Sequence, residues 1–274
     1  MPDQARTVSR LALASIAVAI GVMGLKFLAW WLTGSVALFS DALESIVNVI
    51  AATAAFMAVR YAARPADSGH PFGHYKAEYF SAVLEGVLIV VAALLILHEA
   101  ANALLEGVGE MTSPGPGLAI NLAAAVINGV FASLLIRKGR EYRSPALVAD
   151  GKHIMADVVT SAGVLAGLVL ALATGWLILD PLLAILVAGN ILREGWHVIS
   201  ESVNGLMDRA VEGEEARRIE DVIRSNAAGA IEVHDIRTRA AGRATFIEFH
   251  LIVDAAMTVE ESHAICDRIE TGLH

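Results

Sequence analysis

The chain has 274 residues, 56% of them hydrophobic and 18% charged, with a formal net charge of −9 and a mean hydropathy of +0.60. A water-soluble domain of this length cannot cover so much apolar surface, so the composition excludes one and predicts a polytopic membrane protein in contact with the lipid bilayer. The single cysteine, Cys266, excludes an internal disulfide and any cysteine-cluster metal site, and the acidic C-terminal segment makes nucleic acid an unsuitable partner.

In chain order, stretches of about 20 apolar residues predict six membrane helices over 11–32, 36–59, 79–104, 118–136, 145–172 and 181–199. The N-terminus runs into the first of them without a small-residue cleavage site, which reads as a retained helix and not a signal peptide. Arg6 and Arg10 precede the first span. Arg60, Arg64 and Lys76 follow the second, and Arg137, Lys138, Arg140 and Arg143 follow the fourth, while the alternate loops carry no lysine or arginine. By the positive-inside rule, both termini are expected in the cytoplasm of a protein of the inner or plasma membrane. Asp180 before Pro181 reads as the N-cap of the sixth helix.

Beyond residue 205 the charged residues return to soluble density, so domains are expected over 1–205 and 206–274. The second should be a small α+β layer, with helices over 214–225 and 258–273 flanking strands over 233–239 and 245–253. Alternation puts Ile247, Phe249, Leu251 and Val253 on one face of the second strand, with Glu248 and His250 on the other. The chain stops where one more strand would complete the sheet.

Two of the predicted spans carry matching polar faces. SDALESIVN, residues 40–48, places Asp41, Glu44, Ser45 and Asn48 on one side of the second helix; ADGKHIMAD, residues 149–157, repeats the spacing with Asp150, His153 and Asp157 on the fifth. An ionisable group inside a membrane costs about 2.5–3.5 kcal/mol even on the mildest scale, so the two faces should meet each other or a shared aqueous cavity. Glu44, Asn48, His153 and Asp157 together offer oxygens and an imidazole, which suits a first-row divalent cation; an interhelical hydrogen-bond cluster is the alternative. A histidine ligand must lose a proton to bind metal, so protons and metal would compete there. Asp67, His70 and His74 in the loop after the second span form a second metal-like group. His234, His250 and His263 are scattered through the C-terminal segment as further candidates. A membrane metalloenzyme could use the same intramembrane ligands, but no separate nucleophile or general base stands near them, and a metal-sensing membrane protein lacks an output module.

These motifs resemble those of the cation diffusion facilitator family: SDALxSxVx in the second span, DxxHPFGHxKAE in the loop, HxxxD in the fifth span, LMDRA after the sixth, and HDIRTR and EFHL in the C-terminal strands. The resemblance covers nearly the whole chain. It implies a homodimeric divalent metal/proton antiporter, not an enzyme, with a metallochaperone-like, ferredoxin-like cytoplasmic domain. The implied transport site is Glu44, Asn48, His153 and Asp157, with the loop site at Asp67, His70 and His74 and part of a cytoplasmic site at His234, His250 and His263. It further implies a pairing of Lys76 with Asp208, and leaves Asp41 and Asp150 as accessory polar residues of the pathway. No cofactor is expected beyond the transported cation, whether zinc, manganese, iron, cobalt or nickel, and structural ions in the cytoplasmic domain. Glu44 and Asn48 depart from the family pattern, which commonly has histidine or aspartate at the first position and aspartate at the second.

Overall fold

The structure, a computed structural model, describes residues 2–33, 36–106, 116–176 and 178–273. The side chains of Asp41, Glu44 and Asp180 lie outside the described residues. Six long helices come first: α1 (Pro2–Thr33), α2 (Val36–Ala62), α3 (Ala77–Glu106), α4 (Pro116–Glu141), α5 (Pro145–Thr174) and α6 (Leu179–Leu206). Each contains one predicted span and extends past it, because helical backbone satisfies its own hydrogen bonds and continues until a turn residue stops it. α6 departs from its expected start. Leu179 donates its backbone N–H to Trp176 O at 3.1 Å, winding the helix from Leu179, so Pro181 is not its first residue.

The helices contact one another through alanine, glycine and serine. One cluster joins Val8 and Ala12 of α1, Ala55 and Val59 of α2, Ala132 and Leu135 of α4, and Ala146, Leu147 and Ile154 of α5. A second joins Ile89 and Ala93 of α3 to Ala156 of α5 and Ile191 of α6, and a third joins Ala82, Ala149 and Val198 of the same three helices. Large apolar side chains point the other way: Trp31, Val130 and Leu186 are 77%, 70% and 70% exposed. Small residues inside and large ones outside is the arrangement lipid selects, because lipid solvates leucine as well as protein does while close backbone contact needs small side chains. Among the described residues, α1, α2, α3, α4 and α6 each hold a stretch long and apolar enough to cross a membrane. The first half of α5 instead carries Asp150, Lys152 and Asp157.

Close approach of α4 and α5 depends on Gly151. A Cβ there would lie 2.8 Å from Ile136 Cγ1 and 3.0 Å from both Ala132 O and Ile136 N. Two of those three atoms are backbone and cannot turn aside. Gly151→Val is expected to separate the helices and to lower the apparent melting temperature of the detergent-solubilised protein, whereas valine at Gly24, where nothing lies within 4 Å, should not.

The chain divides at residues 203 and 204 into two compact units. In the second, α7 (Gly213–Asn226) is followed by a hairpin of β1 (Glu232–Ala241) and β2 (Ala244–Ile252), then α8 (Val259–Leu273). The hairpin closes through Gly242, whose φ of 56° suits glycine. Its core consists of Ile219 and Ile223 from α7, Ile265 and Ile269 from α8, and Val233 from β1, with Ile247, Phe249, Leu251 and Val253 packed against them. Alternation along β2 is therefore as expected, with Glu248 and His250 exposed. Thr258 and Glu261 cap α8 reciprocally: Thr258 Oγ1 accepts the Glu261 N–H at 3.2 Å and Glu261 Oε2 accepts the Thr258 N–H at 2.8 Å. The second bond holds the Glu261 carboxyl below its usual range. Because that value is depressed in the folded state, the cap's contribution is present at neutral pH and fades as pH falls through the folded value.

Candidate metal centre

The polar faces of α2 and α5 meet. Asn48 is buried on α2 and His153 is buried on α5. The Asn48 amide donates from Nδ2 to Asp157 Oδ2 at 2.5 Å, and its Oδ1 accepts from His153 Nε2 at 3.0 Å. One side chain thus joins the two others across residues more than a hundred apart in sequence. The helical period explains it: Asn48 lies three residues after Ser45 (2% exposed), and His153 and Asp157 are four apart, so each set forms one stripe. His153 Nδ1 is buried and has no hydrogen-bond partner. A recess beside Asn48 is lined by Val18 and Val22 of α1, Ser45 of α2, Asn128 of α4 and Ile154 of α5. The cluster supplies a carboxylate, an amide oxygen and an imidazole converging on one point, a donor set suited to a divalent first-row cation.

The loop after α2 gathers Asp67, His70 and His74, whose candidate ligand atoms all lie within 4.8 Å of one another. His70 Nδ1 is 3.5 Å from Asp67 Oδ1, and His74 Nε2 is 3.5 Å from Asp67 Oδ2. Those separations exceed a good N–H···O bond. The two histidines approach different oxygens of the one carboxylate, and with one ligand atom from each residue the three side chains come close enough to share an ion. Local chemistry builds the loop. Asp67 Oδ1 accepts the backbone N–H groups of Gly69 at 2.9 Å and His70 at 2.7 Å. Gly73 at φ 82° turns the chain so that His74 comes back over His70, with ring centroids 4.4 Å apart. Tyr61 at the end of α2 packs edge-on against His74 at 4.8 Å and helps to bury it. The His70 backbone N–H, followed by that of Gly69 and the nearby imidazoles, holds the Asp67 carboxyl below its ordinary value of 3.8. Asp67 thus stays ionised through neutral and mildly acidic pH, and the turn weakens only as pH falls through that lowered value.

In the C-terminal unit, His234 and His250 face each other across the hairpin, with ring centroids 5.4 Å apart. A register irregularity between His234 and Arg237, with Asp235 at φ 53°, brings Asp235 Oδ2 to 4.0 Å from His250 Nε2. His263 stands apart from them on α8, exposed, 3.7 Å from Asp267. Among the described residues of a single chain, the Asp67 group is the one place where three or more histidine, cysteine or carboxylate side chains come close enough to share an ion. The three C-terminal histidines are therefore not gathered into a comparable cluster within one chain. Lys76 belongs to the first unit and Asp208 to the second, where Asp208 Oδ2 lies 3.9 Å from Arg239.

Sequence reasoning passed over Glu85. It is 1% exposed on α3, and neither carboxylate oxygen has a hydrogen-bond partner. The signal was present, since Glu85 is the sole acid between Glu78 and Glu99 in an otherwise apolar helix. Asn128 and Ser81, also buried, carried no signal beyond ordinary helix polarity.

Comparison with known proteins agrees along the whole chain. Residues 12–207 match the cation efflux transmembrane domain and residues 211–274 the cytoplasmic domain of cation efflux proteins. An uncharacterized transporter of Synechocystis is 43% identical over 275 residues, spanning 98% of this chain and 86% of the relative. The cation-efflux pump FieF of Escherichia coli K12 is 32% identical over 268 residues, spanning 98% of this chain and 88% of the pump. With its apolar helices, this makes the chain an integral membrane transporter and not an enzyme: it is a member of the cation diffusion facilitator family, a cation efflux protein with a transmembrane domain and a cytoplasmic domain.

Proposed function

We propose that the protein exports divalent transition-metal ions from the cytoplasm in exchange for protons, by alternating access at the α2–α5 cluster. The convergence of Asn48, His153 and Asp157 on one point inside the membrane unit carries this reading. A cation there takes a carboxylate oxygen from Asp157, the amide oxygen of Asn48 and His153 Nε2, with Glu44 as the fourth ligand. Metal and a proton cannot occupy His153 Nε2 together, so a protonated imidazolium must release a proton before metal binds there. Zinc, manganese, iron, cobalt and nickel all suit this mixed donor set. In the same reading both termini are cytoplasmic, two copies form a homodimer, and the paired histidines at His234 and His250 and the separate His263 contribute to ion sites between copies.

Purified protein in vesicles with an imposed pH gradient provides the test, with metal uptake and internal pH recorded together. Metal entry with opposite proton movement is the expected result, and metal entry that leaves internal pH unchanged would falsify the antiport. The loop triad belongs to a separate, peripheral ion. His74→Ala removes one of its three ligands and the ring packed on Tyr61, and is expected to weaken Zn²⁺ binding at the loop about 10–100-fold. Transport by His74→Ala should persist at a reduced rate, and complete loss of it would place the loop in the pathway itself.

A further inference from the structure

Glu85 has no place in the transport site described above, yet burying a carboxylate without a partner is among the most costly arrangements a membrane helix can adopt. Its position is fixed by packing on both sides. Ala82, three residues before it, packs with Ala149 of α5 and Val198 of α6; Ile89, four residues after it, packs with Ala156 of α5 and Ile191 of α6. Positions three and four apart share a helix face. Glu85 therefore lies in the α3–α5 seam, between the levels of Ala149 and Ala156. Asp150 is in the same interval of α5, 1% exposed, with Oδ2 unpartnered. The charges of Asp150 and Asp157 both act on Glu85, and the Ser15 hydroxyl of α1 lies beside Asp150, itself fully buried and without a hydrogen bond of normal geometry. Two buried acids thus face a common interval, Glu85 with both oxygens and Asp150 with Oδ2 unpartnered, and the Ser15 hydroxyl stands on the far side of Asp150.

We propose that Glu85 and Asp150 form a second cation position inside the membrane unit, toward the Pro145 end of α5 from the Asn48–His153–Asp157 cluster. Its donors are oxygens only, so it suits a hard, oxygen-preferring divalent ion of the manganese type, in contrast to the imidazole-containing cluster. Two carboxylates and a hydroxyl are too few donors to fill the shell of such an ion, which therefore keeps water in its coordination shell. Metal passing between the α2–α5 cluster and the Pro145 end of α5 has a staging point one to two helical turns away. The inference takes that cluster as the transport site and adds a distinct position to it.

The test is Mn²⁺ binding to the purified full-length protein, counted by loss of the free-ion electron paramagnetic resonance signal. Glu85→Gln and Asp150→Asn, both close to isosteric, are each expected to bind about one ion fewer per protomer than the unsubstituted protein. Combining them should remove no more than either alone, and Asp157→Ala should keep the ion that depends on Glu85. Equal counts in Glu85→Gln and the unsubstituted protein overturn the second position. So does loss of the same ion in Glu85→Gln and Asp157→Ala with no further loss when those two substitutions are combined, since that merges Glu85 into the transport site. A misfolded Glu85→Gln protein would lose every ion and its cooperative melting transition, in which case Asp150→Asn gives the answer from the other helix. Failure of the transport reading shows separately, as an Asp157→Ala protein that still moves metal.

Discussion

Asp157→Ala is expected to abolish metal transport, by about 100-fold or more, in vesicles where the unsubstituted protein is active. Asp157 is the charged member of the cluster among the described residues, and alanine removes both the anion and the acceptor of the Asn48 amide. A divalent ion entering the helices would then meet only an amide oxygen and an imidazole beside Glu44. Asp157→Asn separates the two losses: it restores a polar group of the same shape but no charge, and transport should stay absent. His153→Ala should give a similar loss by removing both a ligand and the proton carrier. His234→Ala, by contrast, changes a half-buried hairpin residue outside the membrane unit, where a partial reduction is expected. The measurement is initial rate of metal uptake at matched protein content; equal loss for Asp157→Ala and His234→Ala would contradict the assignment of the transport site to α2 and α5.

The contrast between these positions also shows what sequence can carry. The six helices were legible because lipid imposes length and apolarity together, and the polar stripes on α2 and α5 stood out because nothing else in a span tolerates acids and a histidine at helical spacing. Helix ends were less so. α6 starts at Leu179 and not after Asp180 because a local turn from Trp176 already winds the chain before the Asp-Pro pair. The loop site was legible in its residues but not in its support, since the packing of Tyr61 on His74 depends on how α2 ends. His263 matched a metal-binding pattern as a letter, while its place on α8 beside Asp267 depends on a helix face that the letter alone does not reveal. Glu85 stands alone in sequence and forms no cluster with its chain neighbours. A lone acid in a long apolar helix gains its meaning only from the neighbouring helix, and the seam of Ala82, Ala149, Ala156 and Ile89 that brings it to Asp150 is made of residues with no chemistry of their own.

Asn48→Asp is expected to change which ions the transporter accepts, because among the described residues the Asn48 amide is what links His153 to Asp157. The Asn48 amide donates to Asp157 and accepts from His153, so one side chain links the other two. Aspartate keeps an acceptor for His153 but has no donor for Asp157. Two carboxylates would then approach at a distance that now accommodates a hydrogen bond, a repulsion that a cation between them relieves. The variant should therefore bind divalent ions more tightly and depend more on an ion for its stability. The added charge should favour ions held strongly by carboxylate, and the ratio of zinc to manganese transport should shift by about tenfold, equivalent to about 1.4 kcal/mol of differential binding. Competition transport across manganese, iron, cobalt, nickel and zinc, with each ion's effect on the melting temperature, gives both readings. A profile unchanged from the unsubstituted protein would mean that Asn48 only joins the helices, leaving ion choice to His153 and the ligands around it. A shifted profile with a larger metal-induced rise in melting temperature would mean that one amide nitrogen both stabilises the metal-free cluster and limits how strongly it competes for metal.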